Sequence, residues 1–315
     1  IESGAFGGCI NLKEIVVPDN VTEIQSSAFE YCSSLKTVKL SENLERIGVY
    51  AFGDCDVLKS IKIPDSVLDI DGAAFAECKK LSDVVLSKNL KTMGWQVFGN
   101  DNKLTEIEIP KSLEECRYYR NNDSIDGGTF DNCANLKTVM FEDGTTEIAE
   151  GLFAGCTGIE QIRIPDTVTV IESGAFGGCI NLKEIDVPNS VTEIQRSAFE
   201  YCSSLKTAKL SENLKSIGMY SFNNCTSLTE VHLSDILKEI PSNTFSGCKK
   251  LTTINFPSTL TTIGNSAFSG CESLPEAILP SGVEKIESNA FKNCKALKKA
   301  AVPDTVSSIG SSAFY

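Results

Sequence analysis

Thirteen cysteines and a single histidine, His232, are the side chains of this sequence best suited to covalent or metal chemistry. Thiols form disulfides, bind zinc, or act as nucleophiles beside a base such as histidine. The sequence contains no Cys-x-x-Cys pair and no HExxH motif. His232 lies between Val231 and Leu233, which predicts an outward position on a strand with no nucleophile beside it. We therefore predict no catalytic residue, no metal site and no cofactor.

Twelve of the cysteines stand three residues after a phenylalanine, at one fixed position of a repeat, and Asp101 occupies that position once. Stacked repeats would place these thiols in a buried column with a spacing of about 5 Å, which a disulfide also spans. Neighbouring side chains in such a column point the same way, so we favour reduced thiols that pack near the turn amides. Disulfides and a metal site are the alternatives. Free thiols at this density are typical of a reducing or anaerobic setting.

Three carboxylates, Asp83, Glu106 and Glu108, fall on outward positions of neighbouring predicted strands. Paired carboxylates of this kind do the acid and nucleophile chemistry of glycosidases. A flat, open sheet excludes no water and distorts no sugar, so we predict a solvated acidic surface. The three residues are candidates for binding a partner.

Aromatic and arginine side chains cluster in the irregular segment 112–130, which contains Arg117, Tyr118, Tyr119 and Arg120. Trp95, the only tryptophan, lies at the corresponding corner of the preceding repeat. Such residues are the usual anchors of recognition surfaces. Stacking of the repeats would bring Trp95 to the two tyrosines, which makes this segment the best local candidate for a binding site; the other reading is a bulged loop whose tyrosines only cover the core. In this segment Cys116 and Ile125 compete for one core position.

The phenylalanines reveal the repeat, since fourteen of them recur every 23 residues, with one interval of 32 residues between Phe98 and Phe130. The nine extra residues predict an insertion at about 114–124. Leucine or isoleucine follows six residues after the phenylalanine, and aliphatic pairs follow nine and eleven, then fifteen and eighteen residues after it. The predicted core columns include Phe29, Phe52, Phe75, Cys32, Cys55, Cys78, Leu35, Leu58 and Leu81.

Each repeat has three segments. "LKEIVVP" alternates apolar and polar residues and ends at a proline, which predicts a short strand. "VTEI" returns two aliphatic residues to the core, and "SSAFEYC" fits one turn of α- or 3₁₀-helix. One repeat buries too little apolar surface to offset the entropy of ordering its backbone. The repeats must therefore stack into a solenoid.

The L-x-x-I-x-I pattern, the 23-residue period and the trailing A-F-x-x-C resemble the leucine-rich repeat, more narrowly the BspA-like variety of surface proteins from anaerobic bacteria and some protozoa. The resemblance covers the whole chain except the insertion. It implies a right-handed superhelix of about 13 stacked units with a parallel β-sheet on one face and short strands, turns or helical segments elsewhere. It also implies a cell-surface or secreted protein with a role in adhesion.

The net charge of −13 lacks the basic patch of a nucleic-acid binder, and no apolar run is long enough to enter a bilayer. We expect one leucine-rich repeat domain over 1–315, cut from a longer protein in mid-repeat at both ends. Residues 1–52 and 171–222 agree at 43 of 52 positions. This duplication lengthened a surface and did not create a second active site.

The expected function is that of a non-enzymatic module that binds a protein or glycan outside the cell, in adhesion or host interaction. This step follows from the resemblance, because a fold alone does not define a function. The alternative is a rigid spacer that presents another domain, which the near-identical duplication favours. A third reading is the non-catalytic part of a larger enzyme.

Overall fold

The computed structural model describes residues 1–117, 119–121 and 124–315, and it describes side chains outside 118–126. The chain divides into two compact units. The N-terminal unit contains residues 1–145 and 149–162, and the C-terminal unit contains residues 146–148 and 163–315. Each unit is a solenoid of 23-residue repeats in which a first and a second short strand alternate.

In the N-terminal unit the first strands of successive repeats lie side by side, and so do the second strands. The first strands are β1 Glu14–Val16, β3 Thr37–Lys39, β5 Ser60–Lys62, β7 Asp83–Val85, β9 Glu106–Ile109 and β13 Thr138–Phe141. The second strands are β2 Glu23–Ile24, β4 Arg46–Ile47, β6 Asp69–Ile70, β8 Thr92–Met93 and β10 Glu115–Cys116. The insertion contains β11 Tyr119–Asn121 and β12 Ser124–Asp126.

The C-terminal unit repeats this arrangement. Its first strands are β16 Glu184–Asp186, β18 Thr207–Lys209, β20 Glu230–His232, β22 Thr253–Ile254, β24 Glu276–Ile278 and β26 Lys299–Ala301. Its second strands are β14 Glu147–Ile148, β15 Val170–Ile171, β17 Glu193–Ile194, β19 Ser216–Ile217, β21 Glu239–Ile240, β23 Thr262–Ile263, β25 Lys285–Ile286 and β27 Ser308–Ile309.

Strand pairing follows the repeat. Neighbouring strands pair in parallel with a 23-residue offset, as Glu14 with Thr37 shows, and only β9 and β13 are offset by 32 residues. The exception in direction is the antiparallel hairpin of β11 and β12. The extra residues therefore leave the solenoid as a hairpin, while the strands on either side of it still pair.

Stacked phenylalanine rings form the centre of each unit. Ring centroids of successive repeats lie 4.9 to 5.7 Å apart in the N-terminal unit and 5.1 to 5.6 Å apart in the C-terminal unit. Phe98 and Phe130 stack at 5.5 Å across the insertion. Away from the two ends of the chain, the cysteine and leucine positions that follow the repeated phenylalanines are buried beside this stack, as Cys55 and Leu58 are. The repeats are held together by burial of these columns.

The segment around each phenylalanine contains turns, and the expected helical turn is wrong: no helix occurs in the described part of the chain. In the repeat of Phe29, the N–H groups of Ala28, Glu30 and Cys32 donate to carbonyls three residues earlier. The alternate N–H groups, including that of Phe29, donate to the following repeat. Ser27 and Tyr31 have φ values of 57° and 60°, which interrupts any helix. About half of the backbone N–H groups around each of these phenylalanines therefore form hydrogen bonds between repeats.

Cys116 occupies the core position that isoleucine fills in most other repeats. It lies in β10, pairs with Met93 of β8, and is buried. The side chain of Ile125 lies outside the described residues. The chain therefore enters the insertion only after this core position has been filled.

Candidate binding surfaces

Trp95 lies just after β8, half-buried, at the corner of its repeat. Its indole meets the ring of Tyr50 edge-on, with centroids 5.7 Å apart and an angle of 78° between the rings. Tyr50 belongs to a repeat two before that of Trp95. The intervening repeat has Gly72 at this corner, and a Cβ atom there would lie 2.4 Å from the indole Nε1. We call Tyr50, Gly72 and Trp95 the aromatic corner.

Replacing Gly72 with alanine is expected to push Trp95 away from Tyr50, because the added methyl group would overlap the indole. Since Trp95 is the only tryptophan, tryptophan fluorescence, excited selectively over that of the tyrosines, reports this corner alone. We expect the emission maximum of Gly72→Ala to shift to longer wavelength, with a loss of unfolding free energy of about 1 kcal/mol or less. Tyr50→Asn should shift emission in the same direction. Unchanged emission in both variants would contradict this geometry.

Arg117 extends from the end of β10. Its guanidinium Nε lies 3.2 Å from a carboxylate oxygen of Glu115, and both side chains are exposed. Tyr118 lies outside the described residues. Tyr119 and Arg120 belong to β11, whose side chains are not described either. Stacking of the two tyrosines on Trp95 therefore stays a prediction, whereas the contact that the structure shows is the one with Tyr50.

The three predicted carboxylates lie on a different surface. Asp83 is exposed on β7, and Glu106 and Glu108 are exposed on β9, both strands of the first set. Trp95 follows β8, a strand of the second set. The aromatic corner and the carboxylates are therefore two separate candidate surfaces.

The carboxylate surface also contains exposed apolar side chains. Val85 and Met140 point outward on β7 and β13, and Met140 pairs with Glu108 of β9. A cavity of about 210 Å³ opens beside these strands, lined by Val84, Val85, Leu86, Lys88, Glu108, Pro110 and Glu142. Lys111 lies 3.6 Å from Glu142, while no described basic group forms an ion pair with Glu108. The surface offers an apolar wall beside an unpaired negative charge.

The cysteine column is a packing feature. The Cys78 thiol donates to the carbonyl of Phe52 at 3.2 Å, and the Cys225 thiol donates to that of Phe199 at the same distance. The sulfur therefore contacts the carbonyl of the phenylalanine in the preceding repeat, whereas we predicted only that it would lie near the turn amides. All thirteen cysteines are free. Burial raises the pKa of the Cys156 thiol to about 12, so this thiol is protonated and a poor nucleophile at neutral pH.

His232 points outward on β20, paired with Lys209 of β18. Asn255, in the following repeat, accepts a hydrogen bond from the N–H of Leu233 at 2.6 Å. Among the described residues, no three His, Cys, Asp or Glu side chains are placed to hold a metal ion. No helix of the described chain is long and apolar enough to cross a membrane.

The stacked 23-residue repeats match a known family model. The model of the BspA type leucine-rich repeat region matches residues 1–124, 123–251 and 192–315, with six copies in all. The chain belongs to the BspA type leucine-rich repeat family. The matches cover every repeat, so the membership concerns the whole chain.

Solved structures share this BspA type fold. A leucine-rich repeat protein from Bacteroides ovatus is 27% identical, with a TM-score of 0.62, over 96% of this chain and 87% of that chain. One from Eubacterium ventriosum is 23% identical, with a TM-score of 0.58, over 94% and 82%. The pneumococcal vaccine antigen PcpA is 20% identical, with a TM-score of 0.54, over 93% and 73%. A search of curated protein sequences gave no significant match.

The two duplicated blocks of this BspA type chain differ at the corner that corresponds to Tyr50. The matching residue of the second block is Tyr220, and the guanidinium of Arg196 lies over its ring, 4.9 Å from the centroid. Ser26 stands at the position of Arg196 in the first block. An arginine covers one tyrosine while a tryptophan contacts the other. The duplication therefore did not duplicate the aromatic corner.

Proposed function

We propose that this chain is a non-enzymatic binding module of a cell-surface or secreted protein, which recognises a protein or glycan through the aromatic corner. One observation carries the proposal: the single tryptophan lies half-buried against an exposed tyrosine, on a solenoid whose other large aromatic residues are mostly stacked inside. A half-exposed tryptophan presents a rigid apolar face and an N–H donor to a ligand. The family resemblance to bacterial surface proteins supports the location outside the cell.

The carboxylate surface supports the same binding function by attracting a partner electrostatically. Asp83, Glu106 and Glu108 are exposed, and the chain carries a net charge of −13. Such charges accelerate the approach of a basic partner more than they raise final affinity. A basic protein partner would therefore be attracted to this surface at low salt.

The proposal is tested with an array of mammalian oligosaccharides and a panel of purified extracellular-matrix proteins. The strongest-binding probe is then titrated into the unchanged chain while Trp95 fluorescence is followed, and its affinity for every variant is measured by calorimetry, because Trp95→Ala lacks the only tryptophan. We expect saturable fluorescence changes and an affinity that falls tenfold or more in Trp95→Ala, because buried aromatic anchors contribute about 2 kcal/mol or more to an interface.

Tyr31→Asn is the matched control, because Tyr31 is an exposed tyrosine on the turn after Phe29, and asparagine tolerates its positive φ. Its affinity for the same probe should equal that of the unchanged protein. Equal affinities for all three proteins would remove the aromatic corner from the proposal.

A rigid spacer is the second candidate, and the duplication of residues 1–52 at 171–222 favours it, since length then matters more than any single surface residue. A spacer predicts that no probe changes Trp95 fluorescence. It also predicts that Trp95→Ala leaves the function of the full-length protein intact. The fluorescence titration therefore separates the two candidates.

A further inference from the structure

Asp101 is the only residue that replaces a cysteine in the column, and its environment differs from that of every other aspartate described. Its side chain is fully buried, with 0% exposure. Both carboxyl oxygens are inaccessible, and no hydrogen bond of normal geometry reaches either of them. A carboxylate in this position would be a buried charge without a partner, which is among the most costly arrangements in a protein interior.

Among the residues that the structure describes, no positively charged group interacts with Asp101. The preceding repeat contributes Glu77 and the Cys78 thiol, and the following repeat contributes the Cys133 thiol, which also interacts with Asp131. The backbone amide of Cys78 favours the charged form, but burial outweighs it and keeps the pKa of Asp101 well above the ordinary value. Burial and the charge of Glu77 together favour a neutral carboxylic acid.

The column also provides an acceptor for the acid proton. The Cys78 thiol donates to the carbonyl of Phe52, 26 residues earlier. The Cys133 thiol likewise donates to the carbonyl of Phe98, the phenylalanine of the preceding repeat. By the same register, the carbonyl of Phe75 lies 26 residues before Asp101. A protonated carboxyl has the O–H donor that replaces the missing S–H.

We propose that Asp101 is a proton-dependent switch in the core: protonated in the folded protein, it donates to the Phe75 carbonyl, and loss of the proton loosens its repeat. That repeat carries Trp95 before Asp101 and Glu106 and Glu108 after it. The switch therefore lies between the two candidate binding surfaces. Its test needs no ligand and does not depend on the proposed function.

The direction of the pH effect follows from proton linkage. In the unfolded chain the Asp101 carboxyl has its ordinary pKa, about 3.9, whereas in the folded chain the pKa is raised. Between these two values the folded state binds more protons than the unfolded state, so stability falls as pH rises. The stabilisation that the protonated Asp101 side chain contributes is fully present below the pKa of the unfolded chain. For one proton, the unfolding equilibrium constant rises by up to tenfold per pH unit in this window.

The experiment compares the unchanged chain with Asp101→Asn, which keeps the shape without the charge, and with Asp83→Asn, an exposed aspartate on β7. Amide hydrogen exchange of peptides spanning residues 95–109 is measured from pH 4 to pH 8, and rates are compared at equal pH. We expect opening of the unchanged chain relative to Asp101→Asn to increase by up to tenfold per pH unit. Asp83→Asn should behave like the unchanged chain.

Two outcomes would overturn the switch. One is a constant ratio of exchange rates between the unchanged chain and Asp101→Asn across the pH range. The other is opening that decreases with pH only in the unchanged chain, which would mean a stabilising carboxylate. If Asp101→Asn does not fold, Asp101→Cys replaces it as the reference, because it restores the residue that the other repeats have at this position. Trp95 emission should depend on pH in the unchanged chain and not in either Asp101 variant.

Discussion

Phe52→Ala is expected to lower the unfolding free energy by about 3–5 kcal/mol. The Phe52 side chain is fully buried, and its ring lies between those of Phe29 and Phe75, at 5.0 and 5.2 Å. Truncation removes two stacking contacts as well as the buried area of the ring. In a solenoid each repeat packs mainly against its two neighbours, so a cavity at Phe52 weakens both of the interfaces that hold this repeat.

Urea unfolding followed by circular dichroism measures this loss, with Ile10→Ala as the control. Ile10 is 59% exposed, and its truncation should change the unfolding free energy by about 0.5 kcal/mol or less. Similar losses for the two variants would show that the phenylalanine stack is not the main source of stability. A lower slope of unfolding against urea for Phe52→Ala would indicate that the repeats no longer unfold together.

The columns of the core could be predicted from the sequence because a fixed period forces identical positions to lie beside each other. Phe29, Phe52 and Phe75 occur at 23-residue intervals, and the strands pair with the same 23-residue offset. The insertion could be located from the one longer interval. Its exit as a hairpin after Cys116 could not, since Cys116 and Ile125 fit the same position equally well by residue type.

The turns around each phenylalanine could not be predicted, because their hydrogen bonds are shared between repeats. "SSAFEYC" has the composition of a helical turn, and nothing in one repeat shows that the N–H of Phe29 bonds to the next repeat. The residues two before and two after most of the repeated phenylalanines adopt positive φ, and at Ser27 and Tyr31 no glycine signals this. Tertiary contacts here override local preference.

The candidate binding surfaces were partly visible in the sequence. Trp95 is a candidate from the sequence because it is the only tryptophan. Its contact with Tyr50 could not be predicted, because Tyr50 lies two repeats earlier and the sequence does not show which corner residues meet when the repeats stack. The contact also depends on Gly72, whose missing side chain lets the indole reach across a repeat. Val85 and Met140 could have been identified from the sequence, because both are apolar residues at outward strand positions that are otherwise mostly polar.

Gly94→Ala is expected to destabilise the chain by about 3 kcal/mol, although it adds only one methyl group. A Cβ atom at Gly94 would lie 2.2 Å from the backbone nitrogen of Gly72 and 2.6 Å from the carbonyl carbon of Asp71. These are backbone atoms of the preceding repeat and cannot rotate away as a side chain does. The two repeats must separate, which strains the hydrogen bond from the Gly94 N–H to the Ile70 carbonyl, now 2.8 Å long.

Gly53→Ala provides the comparison, because the nearest atom to a Cβ atom there is Cδ1 of the Tyr50 side chain, at 3.3 Å. We expect a change of about 1 kcal/mol or less for Gly53→Ala in the same urea titration. Glycine occurs at the position of Gly94 in five described repeats, each against the backbone of the repeat before it, at Gly48, Gly94, Gly218, Gly264 and Gly310. If both alanine variants were equally stable, close backbone approach would not be what requires glycine there, and the spacing of the repeats would have to be set by the buried columns alone.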